Sequence, residues 1–192
     1  MAATMKILLA ILAVLLVVGA VFGVKLVSTR NDLVTQREGI QKAWADVDVA
    51  LQRRADLIPN LVETVKGFAS QEKQVFADLA NARAALAGAR NPRETIQANT
   101  MLDGALGRLL VVVENYPQLR SNENFLRLQD ELAGTENRIA VERRKYNETV
   151  QKYNTSIALF PNNIAASMFG FSRNDAYFQT TPAERTAPRV SF

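Results

Sequence analysis

Histidine and cysteine are both absent from this chain of 192 residues. Without histidine, the chain lacks the side chain that ordinarily exchanges a proton near neutral pH. Without cysteine, it can form no disulfide, offers no thiol nucleophile and cannot carry a lipid on an N-terminal cysteine. The two absences together remove the usual ligand sets for zinc. No metal site of the histidine or cysteine type is therefore expected.

The remaining polar residues form no recognisable catalytic set. Ser121, Ser156 and Ser167 have no histidine to activate them, and no two carboxylates are spaced as an acid–base pair. Gly104 and Gly107 fall within a predicted helix, so they lack the strand–loop–helix setting of a phosphate-binding loop. The sequence therefore predicts a protein without enzymatic activity and without a cofactor.

Basic and acidic residues are close to balanced. The chain holds 23 Lys and Arg against 19 Asp and Glu, a formal net charge of +4. Two of the lysines, Lys6 and Lys25, flank an apolar segment, and the other basic residues alternate with acids along the predicted helices. This pattern is typical of a solvated surface of mixed charge. No nucleic-acid partner is expected.

The one long apolar run extends from Ile7 to Val24. As a helix it would span about 27 Å at about 1.5 Å per residue, close to the thickness of a bilayer core. The alternative is a cleaved signal peptide with its cleavage site at Val21-x-Gly23, but large residues crowd that site and the run is long for a signal peptide. We predict a retained, single-pass transmembrane anchor over residues 1–27, in contact with the lipid bilayer.

The distribution of Lys and Arg bears on the orientation of this anchor. One lysine precedes it, whereas four basic residues follow it closely: Lys25, Arg30, Arg37 and Lys42. Counted in this way, the C-terminal side faces the cytoplasm. Asp32 and Glu38 lie among these basic residues, so a periplasmic domain is the alternative.

After the anchor, apolar residues recur at spacings of three and four, which is the pattern of amphipathic helices. No turn signal separates the anchor from the first helix. Pro59 is expected to kink or restart that helix, with Asp56 as the candidate N-cap for a restart. Later helix ends are predicted at residues 88–92, at Tyr116-Pro117 and near Ile157. In the last long helix the stripe slips by one residue near Val150, as in a straight helix.

The fold class predicted from these patterns is all-α. We expect an N-terminal transmembrane helix that continues into an antiparallel bundle of about four long helices. The bundle is assigned to residues 28–171. Residues 172–192 contain two prolines and few aliphatic side chains, which predicts a poorly ordered C-terminal tail.

Several short motifs go beyond helical periodicity. Trp44 is followed by the run RRADLIPNLV from Arg53 to Val62, and ENYPQL begins at Glu114. A Tyr-Asn pair occurs twice, and the chain closes on PRVSF. Together these motifs resemble those of the LemA family of bacterial membrane proteins, over nearly the whole chain. Arg30 is one departure, because the family more often has tyrosine there.

The resemblance implies a transmembrane helix joined to a bundle of long helices, in the bacterial inner membrane, with no established enzymatic activity. It also implies a genetic association with a membrane zinc metalloprotease, which makes such a protease a candidate partner. We expect a scaffold that self-associates into a homo-oligomer. The alternatives are an adaptor for a membrane metalloprotease or another envelope-stress partner and, with less support, an oligomer that remodels membranes.

The same motifs provide the candidate residues for structure and interaction. Pro59 and Asn60 are expected to fix a bend, and the two arginines to pair with Asp48, Asp56 or a neighbouring helix. The Tyr-Asn pairs lie seven residues apart and share a face, which predicts contact with another helix, within this chain or in a second subunit. Trp44 is expected in the core. The full set comprises Trp44, Arg53, Arg54, Asp56, Pro59, Asn60, Tyr116, Pro117, Tyr146, Asn147, Tyr153 and Asn154.

Overall fold

The computed structural model describes residues 2–179, with side chains from residue 4 onward. Within this range the chain forms helices joined by short turns, with no strand. The helices are α1 (Ala2–Lys66), α2 (Lys73–Gly88), α3 (Pro92–Glu114), α4 (Pro117–Arg120), α5 (Glu123–Ala158) and α6 (Asn162–Met168). The all-α class predicted from the sequence is confirmed.

The first helix, α1, is 65 residues long and contains Pro59. The predicted restart at this proline, with Asp56 as the N-cap of a new helix, is wrong, because α1 continues to Lys66. Proline removes one N–H from the helix ladder, the one that would bond the carbonyl of Ala55. In the structure Arg83 Nε donates to that carbonyl at 3.2 Å. A donor from α2 thus takes the place of the missing helix bond.

The N-terminal part of α1 is the apolar segment. Its large side chains from Met5 to Val24 are all more than half exposed, and the helix is long and apolar enough to cross a membrane. In hydrocarbon a helix satisfies all of its own backbone hydrogen bonds, so this exposed apolar surface is suited to lipid. The segment continues into the rest of α1 without a break.

Local signals fix the ends of the shorter helices. At the start of α3, the Asn91 side chain accepts from the backbone N–H of Glu94 at 3.0 Å, and Pro92 occupies the first turn, where no N–H is needed. At the start of α5, Asn122 Oδ1 accepts from the N–H of Phe125 at 3.0 Å. The predicted turn at 88–92 agrees with the cap at Asn91.

Packing groups the described residues into two compact units. The anchor unit comprises residues 2–41 and 148–175, and the bundle unit comprises residues 42–147 and 176–179. The predicted segments 1–27, 28–171 and 172–192 are each continuous in sequence. Each compact unit instead combines separate stretches of the chain, because α1 and α5 contribute residues to both units.

In the bundle unit, one apolar core joins the end of α1, α2, α3, α4 and the start of α5. Its members include Leu57, Leu61, Val65, Phe76, Leu79, Leu102, Leu109, Leu119, Phe125 and Leu128. Burying one such side chain stabilises the fold by about 1.5–3 kcal/mol relative to leaving it exposed. The bundle unit therefore owes its stability mainly to this core.

In the anchor unit, α1 and α5 run antiparallel. Gln36 Nε2 donates to Ser156 Oγ at 3.3 Å. The buried side chains on these helices and on α6 include Thr29, Leu33, Ile40, Val150, Tyr153, Asn154, Ile157, Ala165 and Ala166. After the apolar segment, Leu33 is the first apolar side chain that is fully buried. Packing against other parts of the protein therefore begins within about two helical turns of Val27.

Residues 172–179, the start of the predicted tail, have no regular secondary structure but are held by side chains of α5. These contacts were not expected from the composition of the segment. The rest of the predicted tail, residues 180–192, lies outside the described residues.

Candidate functional site

A buried ion network occupies the bundle unit, with Arg54 of α1 at its centre. The Arg54 side chain is 9% exposed, and its Nη1 contacts Asp103 of α3 and, at 2.9 Å, Glu136 of α5. Asn99 Nδ2 donates to the other carboxylate oxygen of Asp103 at 2.9 Å, and Arg143 lies 3.7 Å from it. One buried cation thus binds two helices to α1.

The neighbouring arginine is in a different environment. Arg53 contacts Glu131 at 3.4 Å, but its side chain is 66% exposed and that of Glu131 is 41% exposed. Exposed pairs of this kind typically contribute about 0–1 kcal/mol. Both arginines therefore pair with a neighbouring helix, which was one of the alternatives predicted from the sequence. Only Arg54 is buried.

An aromatic cluster lies in the same unit. Trp44 stacks on Phe178, with ring centroids 5.9 Å apart and planes inclined by 17°. Tyr146 packs edge-on against both, at 5.3 Å from Trp44 and 5.9 Å from Phe178. The Arg143 guanidinium lies 5.0 Å from the centre of the Phe178 ring, within range of a cation–π interaction. Arg143 therefore connects the aromatic cluster to the ion network.

Asn147 holds the backbone beside this cluster. Its Nδ2 donates to the carbonyl of Phe178 at 2.8 Å, and its Oδ1 accepts from the Phe178 N–H at 3.0 Å. A side-chain amide has one donor group and one acceptor, so it can pair with both polar groups of one residue. This pairing replaces the backbone hydrogen bonds that an irregular segment lacks.

In the second Tyr-Asn pair, which lies in the anchor unit, the asparagine makes the equivalent contacts. Asn154 Nδ2 donates to the carbonyl of Asn174 at 2.7 Å, and its Oδ1 accepts from the Asn174 N–H at 2.9 Å. Tyr153 donates its hydroxyl to the carbonyl of Ser172 at 2.9 Å. Burial raises the pKa of the Tyr153 phenol, and the nearby Arg37 partly lowers it. The asparagine of each repeated pair therefore binds a backbone segment of its own chain.

Replacing Asn154 by aspartate should remove one arm of this pairing, because a carboxylate cannot donate to the Asn174 carbonyl at neutral pH. We expect the free energy of unfolding to fall by about 1–2 kcal/mol. Amide exchange at Asn174 should speed up accordingly. Asn163→Asp, on the exposed side of α6, is the matched control and should change neither quantity. Equal effects of the two changes would contradict the assigned role of Asn154.

The Pro59 motif borders a groove between α1 and α2 of about 330 Å³. Its lining includes Ala55, Pro59, Val62, Phe76 and Arg83. Asn60 and Asp56 are exposed on α1, and Asp56 accepts from Gln52 Nε2 at 2.8 Å. The Asn60 carbonyl accepts from Thr64 Oγ1 at 2.8 Å. The structure thus gives Asp56 and Asn60 contacts within their own helix.

A double-mutant cycle can test whether Arg83 supplies the hydrogen bond to the Ala55 carbonyl that Pro59 cannot donate. Arg83→Met should cost about 1 kcal/mol, because it leaves the buried Ala55 carbonyl without its donor. In the Pro59→Ala background the new N–H can bond that carbonyl, so Arg83→Met should cost much less. Denaturation of the four proteins gives the coupling energy, expected to be about 0.5–1 kcal/mol. A coupling of zero would show that Arg83 does not replace the helix bond.

Tyr116 and Pro117 mark the break between α3 and α4. Pro117 begins α4, and the Tyr116 hydroxyl donates to Glu72 Oε1 at 3.3 Å. Partial burial and the adjacent Glu72 carboxylate both raise the pKa of the Tyr116 phenol. The pair fastens the loop before α2 to the turn after α3.

An open apolar cleft of about 250 Å³ lies between α3 and α5 in the bundle unit. Its lining includes Leu106, Leu110, Phe125, Leu132 and Ala133. Leu110 is 46% exposed at its edge, and the neighbouring Leu126 and Val111 are 44% and 62% exposed. Apolar side chains grouped on a surface in this way are typical of an interaction site.

Sequence reasoning missed several partners of these sites. Asp103, Glu136 and Arg143 complete the ion network, and only the Asn99/Asp103 pair carried a local signal, since two polar residues four apart interrupt the apolar side of α3. Phe178 lies in the segment 172–192, which the sequence predicts to be a poorly ordered tail. Across residues 2–179, no group of three or more acidic side chains is arranged to hold a metal ion.

Comparison with known proteins adds an independent observation. A sequence profile of the LemA family matches residues 43–192. The magnetosome proteins MamQ 1 and MamQ 2 of Paramagnetospirillum magneticum are each 31% identical to this chain over 81% of its length. Protein LemA of Metamycoplasma hominis is 24% identical over 83% of the chain and 73% of its own length. The chain spans 66% of the length of the MamQ proteins, slightly under two thirds.

Proposed function

Since this chain belongs to the LemA family and begins with a helix able to cross a membrane, we propose that it is a single-pass membrane scaffold without catalytic activity. In this proposal the protein self-associates laterally in the bacterial inner membrane. By the count of Lys and Arg, the domain after the anchor faces the cytoplasm. Membrane association is supported by the family and by the apolar part of α1. Self-association is tested below.

The open apolar cleft between α3 and α5 supports self-association. Leu110 protrudes at its edge with the exposed Leu126 nearby, whereas Leu106 and Phe125 form its wall. The same surface therefore offers both a projecting side chain and a hollow that can receive one. Such a surface can pair with its own copy about a two-fold axis, so that each copy fills the cleft of the other.

The size and charge of this surface suit a moderate interface. The apolar side chains lie at the centre, and ionisable residues such as Glu114, Arg120 and Glu136 border them. An apolar centre with a polar rim is the usual arrangement in protein interfaces. A contact confined to the cleft would be small, and the shared membrane would favour it by concentrating the copies in two dimensions.

Leu110→Lys is expected to weaken self-association about tenfold or more, because it places a charge at the centre of the proposed contact. The mass of the extracted protein, corrected for bound detergent, should then fall toward that of a monomer at concentrations where the wild type is assembled. Met101→Lys is the matched control. Met101 is 50% exposed, and its position nine residues earlier places it on the opposite flank of α3.

Two results would overturn this proposal. The first is a wild-type protein that stays monomeric at every concentration, and the second is an equal response to both lysine substitutions. Crosslinking in native membranes separates the scaffold from the adaptor alternative. A scaffold should give a ladder of its own multiples, whereas an adaptor should give one heterologous product, for example with a membrane zinc metalloprotease.

A further inference from the structure

We propose that α6 and the residues just before it lie on the surface of the same bilayer that α1 crosses, with Phe160 and Met168 inserted at the lipid interface. The proposal rests on the membrane anchoring of α1 and is independent of self-association. It concerns the anchor unit alone. Its starting point is the position of α6 close to the end of the membrane segment.

The path of α5 brings the chain back toward the membrane. In the anchor unit α5 runs antiparallel to α1, and Ser156 lies beside Gln36. The helix ends two residues later, at Ala158. Beyond α6, the Phe169 ring lies 5.7 Å from the guanidinium of Arg30. Arg30 follows Val27 by three residues, about 5 Å along the helix axis. Residues 159–169 therefore lie next to the end of the apolar segment.

These residues expose an unusual amount of apolar surface. Phe160 is 79% exposed, Met168 63%, Leu159 58%, Phe169 41% and Ile164 37%. Large apolar residues elsewhere in the anchor unit, after the membrane segment, are buried or half-buried. The exposed group is thus confined to the end of the unit that lies nearest the bilayer.

The residues of α6 divide into three sides. Ala165 and Ala166 are buried, and their small side chains allow α6 to approach the rest of the anchor unit. Ile164 and Met168 are four residues apart and share an exposed apolar side. Asn163 and Ser167 occupy a separate, exposed polar side. A helix that packs on protein with one side and carries both an apolar and a polar exposed side fits the boundary between lipid and water.

Lipid is the occupant that the position of this surface favours. The exposed apolar group lies near the end of the apolar segment of α1, because Phe169 contacts Arg30. In the proposed arrangement Lys25 and Arg30 lie at the level of the lipid headgroups. Long basic side chains at that level can extend toward phosphate while their stems stay in apolar surroundings. With seven residues, α6 is short for binding a membrane by itself. The anchor holds it at the surface, so a weak contact becomes effective.

The absence of cysteine makes a direct test clean, because a single introduced cysteine is the only thiol in the full chain. Phe160→Cys, Met168→Cys, Val24→Cys and Gln41→Cys each receive an environment-sensitive fluorophore in phosphatidylcholine vesicles. Bromine atoms on the lipid acyl chains then quench any label that reaches the hydrocarbon. Val24 reports on the anchor itself. Gln41 is exposed in the same unit but lies about 21 Å beyond Val27 along α1.

The labels at 160 and 168 should lose roughly half or more of their emission, because the apolar side of an interfacial helix lies about 5–10 Å below the headgroup level. The label at 24 should be quenched at least as strongly, and the label at 41 should be unaffected. Ser167→Cys, on the polar side of α6, should be quenched less than Met168→Cys. Since apolar insertion drives the contact, adding anionic lipid should leave this order unchanged.

Quenching at 24 without quenching at 160 and 168 would overturn the docking of α6 and leave the anchor intact. Equal quenching at 167 and 168 would also contradict it, because the assigned sides of α6 would then be wrong. Absence of quenching at 24, 160 and 168 together would overturn the anchor and the docking at once. The two proposals therefore fail in distinguishable ways.

Discussion

Replacing Arg54 by methionine is expected to lower the free energy of unfolding by about 3 kcal/mol, the low end of the range for removing one partner of a buried ion pair. The change leaves Asp103 and Glu136 close together without the cation that both contact. These carboxylates are 38% and 46% exposed, so water compensates for part of the loss. Denaturation in mild detergent, followed by the fluorescence of the only tryptophan, measures the effect.

The adjacent arginine supplies the control for this experiment. Arg53→Met removes the same charge from the same helix, but from a pair whose members are both largely exposed. We expect a loss of about 0.5 kcal/mol or less. If the two substitutions destabilise the protein equally, then burial is not the reason for the importance of Arg54. Asp103→Asn should give an intermediate loss, because Glu136 remains beside the cation.

Phe178→Ala is the second change with a large expected effect. It removes the ring that stacks on Trp44, packs against Tyr146 and lies beside the Arg143 guanidinium. We expect the free energy of unfolding to fall by about 2 kcal/mol, less than for a fully buried phenylalanine because the ring is only half-buried. Trp44 emission should shift to the red as water reaches the face that Phe178 covered.

Phe68→Ala tests whether loss of any aromatic ring in the bundle unit has the same result. Phe68 is 38% exposed and follows the end of α1. Its removal should cost well under 1 kcal/mol and leave the emission of Trp44 unchanged. An unshifted spectrum in Phe178→Ala would mean that the Phe178 ring does not cover Trp44 in solution.

The contacts of Arg143 suggest that these two effects are coupled. Its guanidinium faces the Phe178 ring on one side and lies 3.7 Å from Asp103 on the other. A residue that contributes to two neighbouring clusters makes losses in them non-additive. The combination of Arg54→Met with Phe178→Ala is therefore expected to differ from the sum of the single changes.

Local features of the sequence identified much of the fold. The apolar run before Lys25, the helical stripes and the signals at Asn91-Pro92 and Tyr116-Pro117 each act over a few residues. Their physical causes are steric and short-range, such as the fixed φ of proline and the hydrogen bonds of a cap. The class, the long helices and most of their ends were therefore predictable.

The missed features depend on residues that are distant in the sequence. Pro59 carries a strong local signal for a break, yet the helix continues because Arg83 of another helix supplies a donor. Arg53 and Arg54 have the same chemistry, and the side of α1 that each occupies decides which is buried. The composition around Phe178 predicts disorder, but Asn147 and Trp44 provide partners that composition does not reveal.

The sequence by itself determined that this protein is helical, that it carries one segment suited to a membrane, and that histidine and cysteine chemistry is closed to it. Those properties follow from side-chain type and from periodicity, which need no knowledge of distant contacts. The tertiary structure decided which arginine is buried, which residues the two Tyr-Asn pairs bind, and where apolar side chains remain exposed. These outcomes depend on which helix faces pack together. Packing two faces buries polar groups and forms hydrogen bonds between residues distant in sequence, and no local segment contains that information.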